Sequence, residues 1–112
     1  MPRMELPKDA ERELTEVLRR LVAAYEPERV YLFGSRARGD AGPDSDLDLM
    51  VVVPDDASEE RRRSRLAYEA LRGTGIAADV LVCTRSYFDE RLHLRASLPA
   101  TIVREGKLLH AA

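Results

Sequence analysis

The sequence predicts an α+β domain in which a small mixed sheet packs with helices. Near both ends of the chain, apolar residues recur at the three- and four-residue spacing of amphipathic helices. Between these segments lie three short runs of β-branched and aliphatic residues, each bounded by turn-forming residues. The chain has 112 residues, of which 45% are hydrophobic and 34% charged. This size and composition suit one domain, residues 1–112, with one modest core.

Composition also narrows the classes of function. The net charge of −2 argues against a general nucleic-acid partner, because phosphate contacts dominate that affinity. The single cysteine, Cys83, excludes an intrachain disulfide. No apolar run approaches the roughly 20 residues that span a bilayer, and the N-terminus lacks an apolar signal region. We therefore expect a cytoplasmic protein without a membrane segment.

The first two elements are a helix over residues 7–25 and a strand over residues 30–33. The apolar face of the helix is formed by Ala10, Leu14, Val17, Leu18, Leu21, Val22 and Tyr25. Pro27 ends the helix. The strand is rich in β-branched and aromatic residues and ends at Gly34.

A Gly-Ser turn and a basic loop follow the first strand. Gly34 suits a backbone conformation or a close approach that a side chain would block, and the Ser35 hydroxyl can donate to a phosphate. Arg36 and Arg38 carry guanidinium groups, which suit phosphate and carboxylate oxygens equally. Two interpretations of these arginines stay open: contact with a triphosphate, or an ordinary surface role such as pairing with Asp40.

The second strand, residues 46–53, opens with two carboxylates and continues as an unbroken apolar run. Asp46 and Asp48 are two residues apart, so on a strand they point to the same face with Cβ atoms roughly 6.6 Å apart. Two like charges at this distance repel each other. A divalent cation, or a pair of cations about 3.5–4 Å apart bridged by carboxylate and phosphate oxygens, removes the repulsion. The alternative is that both carboxylates merely frame a loop.

A second helix is predicted from Ser58, its N-cap, to about Arg72, with Gly73 as its stop. It carries a basic cluster: Arg61, Arg62, Arg63 and Arg65. We interpret this cluster as a solvated face, with an acidic partner or an RNA as the alternative.

The remaining chain predicts a strand over residues 77–83, an interrupted helix over residues 86–105 and a short final strand or tail. Asp79 is the only charge in its strand, and a carboxylate there costs free energy unless it is paired or bound to a metal. It can join Asp46 and Asp48 on one face, or it can pair with a nearby arginine. Ser86 is a candidate cap of the last helix, and Pro99 breaks or restarts it.

These residues together resemble the nucleotidyltransferase superfamily that includes DNA polymerase beta. The shared pattern is Gly34-Ser35, about a dozen residues, Asp46-x-Asp48 and a later carboxylate, here Asp79. The runs Gly-Ser-Arg-Ala-Arg-Gly-Asp and Ser-Asp-Leu-Asp-Leu resemble the minimal nucleotidyltransferases closely.

The resemblance implies a nucleotidyltransferase fold and a set of site residues. Asp46, Asp48 and Asp79 are implied as catalytic residues that hold two Mg²⁺ ions. The implied nucleotide-binding residues are Gly34, Ser35, Arg36 and Arg38, and the implied substrate is ATP.

The resemblance also implies a partner. This length leaves no room for an acceptor-binding domain, so the acceptor is expected from a partner chain or a second copy. Minimal nucleotidyltransferases are commonly encoded beside a small helical HEPN toxin, and members act as antitoxins that transfer AMP from ATP to a tyrosine of that toxin. Two alternatives remain: a non-catalytic antitoxin that neutralises by occlusion, and an enzyme that modifies a small hydroxyl compound such as an aminoglycoside.

Overall fold

The computed structural model describes residues 8–39 and 46–112. The elements in chain order are α1 (Lys8–Tyr25), β1 (Arg29–Phe33), α2 (Ser35–Arg38), β2 (Leu47–Val53), a 3₁₀ turn (Glu60–Arg62), α3 (Arg65–Ala70), β3 (Ala78–Thr84), α4 (Arg85–Glu90), α5 (Leu98–Glu105) and β4 (Lys107–Ala111). The predicted helix start at residue 7 and the part of the predicted basic loop over 40–45 lie outside the described residues.

The four strands form one mixed sheet in the order β3-β2-β1-β4. β1 pairs antiparallel with both β2 and β4, whereas β2 and β3 run parallel. This confirms the predicted α+β class with a small mixed sheet. The last segment is a strand and not a tail, and it pairs with β1.

One side of the sheet, which we call the closed face, carries the larger part of the core. The side chains of β2 that point to it are Leu47, Leu49, Val51 and Val53, all buried. They pack with Val17, Leu21 and Tyr25 of α1 and with Ala67 of α3. The spacing of the α1 residues matches the helical stripe seen in the sequence, so apolar burial orients this helix on the sheet.

We call the opposite side of the sheet the open face. Successive side chains of each strand point alternately to the closed face and to the open face. Its core is smaller and consists of Tyr31, Met50, Val52, Phe88 and Ile102. The rings of Phe88 in α4 and Tyr31 in β1 stack with their centroids 5.2 Å apart. Through these contacts α4 and α5 cover part of the open face.

The helix predicted from Ser58 to Arg72 is wrong in its extent. The segment is a 3₁₀ turn followed by the six-residue α3, and Arg63 between them has extended φ and ψ of −109° and 142°. The Tyr25 hydroxyl donates to the Arg63 carbonyl at 2.5 Å, which gives that carbonyl a tertiary partner in place of a helical one. The solvated interpretation is also wrong for Arg61, whose guanidinium donates to the carbonyls of Tyr25 and Glu26 at 2.9 and 3.1 Å.

Two further boundaries differ from the prediction. Residues 35–38 form the short helix α2 and not a loop. The C-terminal helical segment is two helices, and the cap of α4 is Thr84 and not Ser86. Ser86 instead donates its backbone N–H to Asp55 at 2.8 Å, and Pro99 lies in the first turn of α5, where a missing N–H costs least.

In the described parts of the chain, we find no helix with both the length and the apolar character that crossing a membrane requires.

Candidate functional site

Two of the three candidate carboxylates lie side by side on the sheet. The parallel register of β2 and β3 pairs Asp48 with Asp79, and the antiparallel register of β1 and β2 pairs Phe33 with Asp48. The three residues therefore form one row across the open face. The next row consists of Tyr31, Met50 and Leu81. The row that contains the two carboxylates therefore lies directly beside an apolar row of the same face.

Asp46 lies immediately before β2 and is exposed. It precedes Asp48 by two residues, and its negative charge raises the pKa of Asp48. Asp79 raises the same pKa. All three carboxylates therefore act on one region, at the N-terminal ends of β2 and β3, which we call the acidic end of the sheet.

The ionised form of Asp48 is disfavoured in this environment. Burial is the largest cause that raises its pKa, and the charges of Asp79 and Asp46 add to it. Arg38 acts in the opposite direction and lowers this pKa. Asp48 is therefore a half-buried carboxylate with two further negative charges nearby, and the positive charge of Arg38 balances them only in part.

Gly34 follows β1 directly and touches the acidic end. A Cβ atom at this position would overlap Asp48 Oδ2 and lie 3.1 Å from Asp48 Cγ. The residue also has φ of +76°, a backbone conformation that favours glycine. Both reasons that the sequence suggested for a glycine therefore apply, and the group that approaches closely is the Asp48 carboxylate.

Ser35 begins α2 directly after Gly34, and the helix is closed by the Arg38 N–H, which donates to the Gly34 carbonyl at 3.1 Å. The structure thus places Ser35, Arg36 and Arg38 on one short turn beside the carboxylates. Arg38 is the member whose charge reaches Asp48. Arg36 lies on the same short helix, one residue after Ser35.

The carboxylate oxygens at the acidic end are of the type that Mg²⁺ prefers. Burial, and after it the charges of Asp79 and Asp46, raise the pKa of Asp48, and a bound cation would relieve the repulsion between these charges. Within residues 8–39 and 46–112, however, no three His, Cys, Asp or Glu side chains are arranged to hold a metal ion together. These residues therefore suit a Mg²⁺ ion that takes one or two carboxylates from the protein and its other ligands from the phosphate oxygens of a substrate.

Two features of this region could not be found in the sequence. Phe33 flanks Asp48 across β1 and contributes to the partly buried surroundings of the acidic end, but only the strand register reveals it. A groove beside β3, described below, is lined from segments far apart in the chain. No local pattern signals either feature, because both depend on which strands become neighbours.

The fold and the acidic end together define the class of protein. The sequence profile of the nucleotidyltransferase domain matches residues 11–109. The chain belongs to this family, as its Gly-Ser and Asp-x-Asp pattern indicates. No curated protein matches the chain.

Solved structures share this architecture. A candidate nucleotidyltransferase from Sulfolobus solfataricus is 23% identical, with 97% of this chain and 93% of the other covered and a TM-score of 0.59. A toxin–antitoxin crystallised with AMP-PNP is 22% identical, with 88% and 73% covered and a TM-score of 0.56. A mutant of the toxin–antitoxin MntA-HpeT is 21% identical, with 89% and 73% covered and a TM-score of 0.54. At these identities the likeness establishes a shared fold.

Proposed function

We propose that the chain is a Mg²⁺-dependent adenylyltransferase that transfers AMP from ATP to a hydroxyl of a partner protein. The observation that carries this proposal is the row in which Asp48 and Asp79 lie side by side, with Asp46 two residues upstream. A half-buried carboxylate crowded by like charges is costly to keep without a cationic ligand. A metal–triphosphate complex would supply that cation.

The proposed metal ligands are Asp46, Asp48 and Asp79, which hold two Mg²⁺ ions together with phosphate oxygens. When bound, the metal neutralises charge on the triphosphate and acidifies the attacking hydroxyl. The neighbouring turn orients the nucleotide: the Gly34 and Ser35 N–H groups and the Ser35 hydroxyl donate to the β- and γ-phosphates. Arg36 and Arg38 supply positive charge on the same side.

In the proposed reaction, the acceptor oxygen attacks the α-phosphorus of ATP in line with the leaving group. The new P–O bond joins AMP to the acceptor, and the bond from the α-phosphorus to the bridging oxygen breaks to release pyrophosphate. The hydroxyl proton passes to the Asp79 carboxylate, which acts as general base and then returns the proton to solvent. Asp79 suits this role because it is exposed and lies next to Asp48.

The proposed acceptor is a tyrosine of a HEPN-type toxin, so that the chain acts as its antitoxin. Two kinds of observation support this choice. The motif resembles that of minimal nucleotidyltransferases, and two of the structures with the same fold are toxin–antitoxin complexes, one of them with AMP-PNP. The AMP-PNP complex also favours an adenine nucleotide as the donor.

The test is a transfer reaction with ATP labelled in the α-phosphate, Mg²⁺ and the protein encoded by the adjacent gene. We expect the label on a tyrosine of that protein, identified by mass spectrometry as a gain of AMP. The Asp46→Asn/Asp48→Asn double variant is the negative control, and Asp56→Asn, an exposed aspartate outside the acidic end, is the matched positive control. Absence of label from every protein added, with wild-type chain and Mg²⁺ present, would overturn the proposal.

A non-catalytic antitoxin is the second candidate. It is favoured by one observation, that no three metal-ligating side chains in the described ranges are arranged as a ready metal site. Such a protein would neutralise its partner by occlusion alone. Toxin neutralisation that survives the Asp46→Asn/Asp48→Asn change in growing cells would favour this candidate over the enzyme.

A further inference from the structure

A groove of about 900 Å³ opens beside β3 on the open face of the sheet. We call it the β3 groove. Its lining comes from three parts of the chain: the strands, through Met50, Leu81 and Cys83; the segment before α3; and the segment from α4 to α5. β3 is the edge strand on this side of the sheet order, so the groove runs along an edge that no described strand pairs.

The β3 groove begins next to the acidic end. Met50 and Leu81 pair with each other across β2 and β3, and each follows a carboxylate of the row formed by Asp48 and Asp79 by two residues. Residues two apart on a strand share a face and are separated by roughly 6.6 Å. A molecule bound in the groove and extending beyond Met50 and Leu81 would therefore reach the carboxylates of Asp48 and Asp79.

The floor and one wall of the groove are apolar and open to solvent. In the described parts of the chain eight large hydrophobic side chains are exposed, and four of them line this groove: Leu81 at 37%, Tyr87 at 50%, Leu94 at 50% and Leu98 at 42% exposed. Half of the exposed large hydrophobic residues thus gather at one place. Such concentration is typical of an interaction site and not of a random surface.

The charged residues of the lining are all positive. Arg62, Arg63 and Arg91 line the groove, and no Asp or Glu of the described residues does so. Arg63 forms an ion pair with Glu59, which lies outside the lining, so the positive charge of the groove rests on Arg62 and Arg91. The Arg62 guanidinium donates to the Ala57 carbonyl at 2.9 Å, and that of Arg91 donates to the Tyr87 carbonyl at 3.0 Å and lies 3.5 Å from the centre of the Tyr87 ring. These contacts hold the two arginines in place without neutralising their charge. In a chain of net charge −2, this is a local basic surface.

We propose that the β3 groove docks an acidic segment of the acceptor protein that also carries apolar or aromatic side chains, and thereby brings the acceptor hydroxyl to Asp79. The inference rests on the proposed function for the identity of the docked protein as the acceptor. Charge complementarity with the arginines selects the acidic segment, and the apolar floor binds its hydrophobic side chains. The nucleotide then occupies the other side of the acidic end, next to Gly34 and Ser35.

Binding is tested first without nucleotide, so that it does not depend on transfer. The probe is a fluorescently labelled copolymer of glutamate and tyrosine, and a copolymer of lysine and tyrosine is the charge control. We expect the glutamate polymer to bind at least about tenfold more tightly than the lysine polymer, and its affinity to fall as salt is raised. Equal binding of the two polymers would overturn the inference.

The variants are Arg91→Glu, at a partly exposed residue of the groove, and Leu98→Gln, at an exposed one. Each is expected to weaken binding of the glutamate polymer at least about tenfold, which is about 1.4 kcal/mol. Arg12→Glu, an exposed residue of α1, makes the same change of charge away from the groove and should leave binding within about twofold. Unfolding curves of all three variants establish that each is folded. Unchanged binding by the folded groove variants would overturn the inference.

The transfer reaction with the adjacent-gene protein then separates this inference from the proposed function. In the groove variants we expect a KM for the acceptor raised at least about tenfold and an unchanged Kd for ATP. Transfer with an unchanged acceptor KM would overturn the docking site and leave the enzyme standing. Groove-dependent polymer binding without any transfer would overturn the enzyme and leave a docking surface. A weakened Kd for ATP would assign the groove to the nucleotide and overturn the inference.

Discussion

The two faces of the sheet use the same strands for different purposes. On the closed face, β2 buries Leu47, Leu49 and every second residue after them against α1 and α3. On the open face, the first residue of β2 is the carboxylate Asp48, and the next two, Met50 and Val52, are apolar. Because side chains alternate along a strand, one seven-residue segment supplies both a continuous core and a polar end.

The difference teaches where stability and activity can be separated. α4 and α5 cover the open face around Phe88 and Ile102 but leave the row of Asp48 and Asp79 to solvent and neighbouring side chains. Substitutions on the closed face should therefore change the free energy of unfolding. Substitutions at the acidic end should change activity at little or no cost in stability.

The largest effect is expected from Asp48→Asn. Loss of this proposed metal ligand should lower the transfer rate by about 1,000-fold, equivalent to about 4 kcal/mol of transition-state stabilisation. At neutral pH and in the presence of a chelator, the Tm should be unchanged or higher. The reason is that burial and the neighbouring charges disfavour the ionised carboxylate, as its raised pKa indicates.

Transfer is measured with labelled ATP and Tm by thermal unfolding, with Asp56→Asn as the control that should alter neither. A Tm lowered by several degrees would show that Asp48 is needed for the fold and would remove the distinction between the faces.

The next effect concerns Leu49, which is 1% exposed on the closed face. Leu49→Ala should lower the free energy of unfolding by about 2–5 kcal/mol, because a cavity replaces the side chain. Leu81→Ala, on the open face and 37% exposed, should cost less than about 1 kcal/mol. Urea unfolding of the two variants measures both values. Equal costs would mean that Leu81 is packed as tightly as Leu49.

A smaller effect on activity is expected from Gly34→Ala. The new Cβ would overlap the Asp48 carboxylate, so transfer should fall about 10- to 100-fold as that carboxylate is displaced. Gly75→Ala is the matched control, because Gly75 also has a positive φ, +69°, but a Cβ there meets nothing within 4 Å. Both variants should lose some stability from backbone strain, and only Gly34→Ala should lose activity. Full activity of Gly34→Ala would contradict the close contact.

The smallest effect is the pH dependence that Tyr25 contributes on the closed face. Burial raises the pKa of Tyr25 from 10.0 to about 12, so the folded state holds its proton at a pH where the unfolded state releases it. This part of the stability is complete below pH 10 and is lost as the pH rises toward 12.

Tyr25→Phe should therefore flatten the fall of Tm in this alkaline range. At pH 7 the same variant should cost about 1 kcal/mol, because the Arg63 carbonyl loses its hydrogen-bond donor. An equally steep alkaline fall of Tm in the variant would assign the pH dependence to other groups.

The sequence by itself determined the class of fold, most elements and the candidate residues. Three local patterns were sufficient to predict the elements that contain them, through their period or composition: the apolar stripe of α1, the apolar run of β2 and the Gly34-Ser35 turn. The two-residue spacing also predicted that Asp46 and Asp48 lie near each other, and the charge of Asp46 does act on Asp48. The strand, however, begins at Leu47, so Asp46 lies just before it and not on its face. That these residues bind metal and nucleotide stays a prediction.

Only the tertiary structure decided which segments meet. The parallel register of β2 and β3 places Asp79 beside Asp48. The close approach of Gly34 to Asp48 connects the end of β1 with β2. The hydrogen bond from the Tyr25 hydroxyl to the Arg63 carbonyl lies where the helix predicted from Ser58 to Arg72 is interrupted. The β3 groove likewise draws its walls from distant parts of the chain. Strand register and side-chain partners depend on long-range packing, which outweighs local preference and leaves no periodic mark in the sequence.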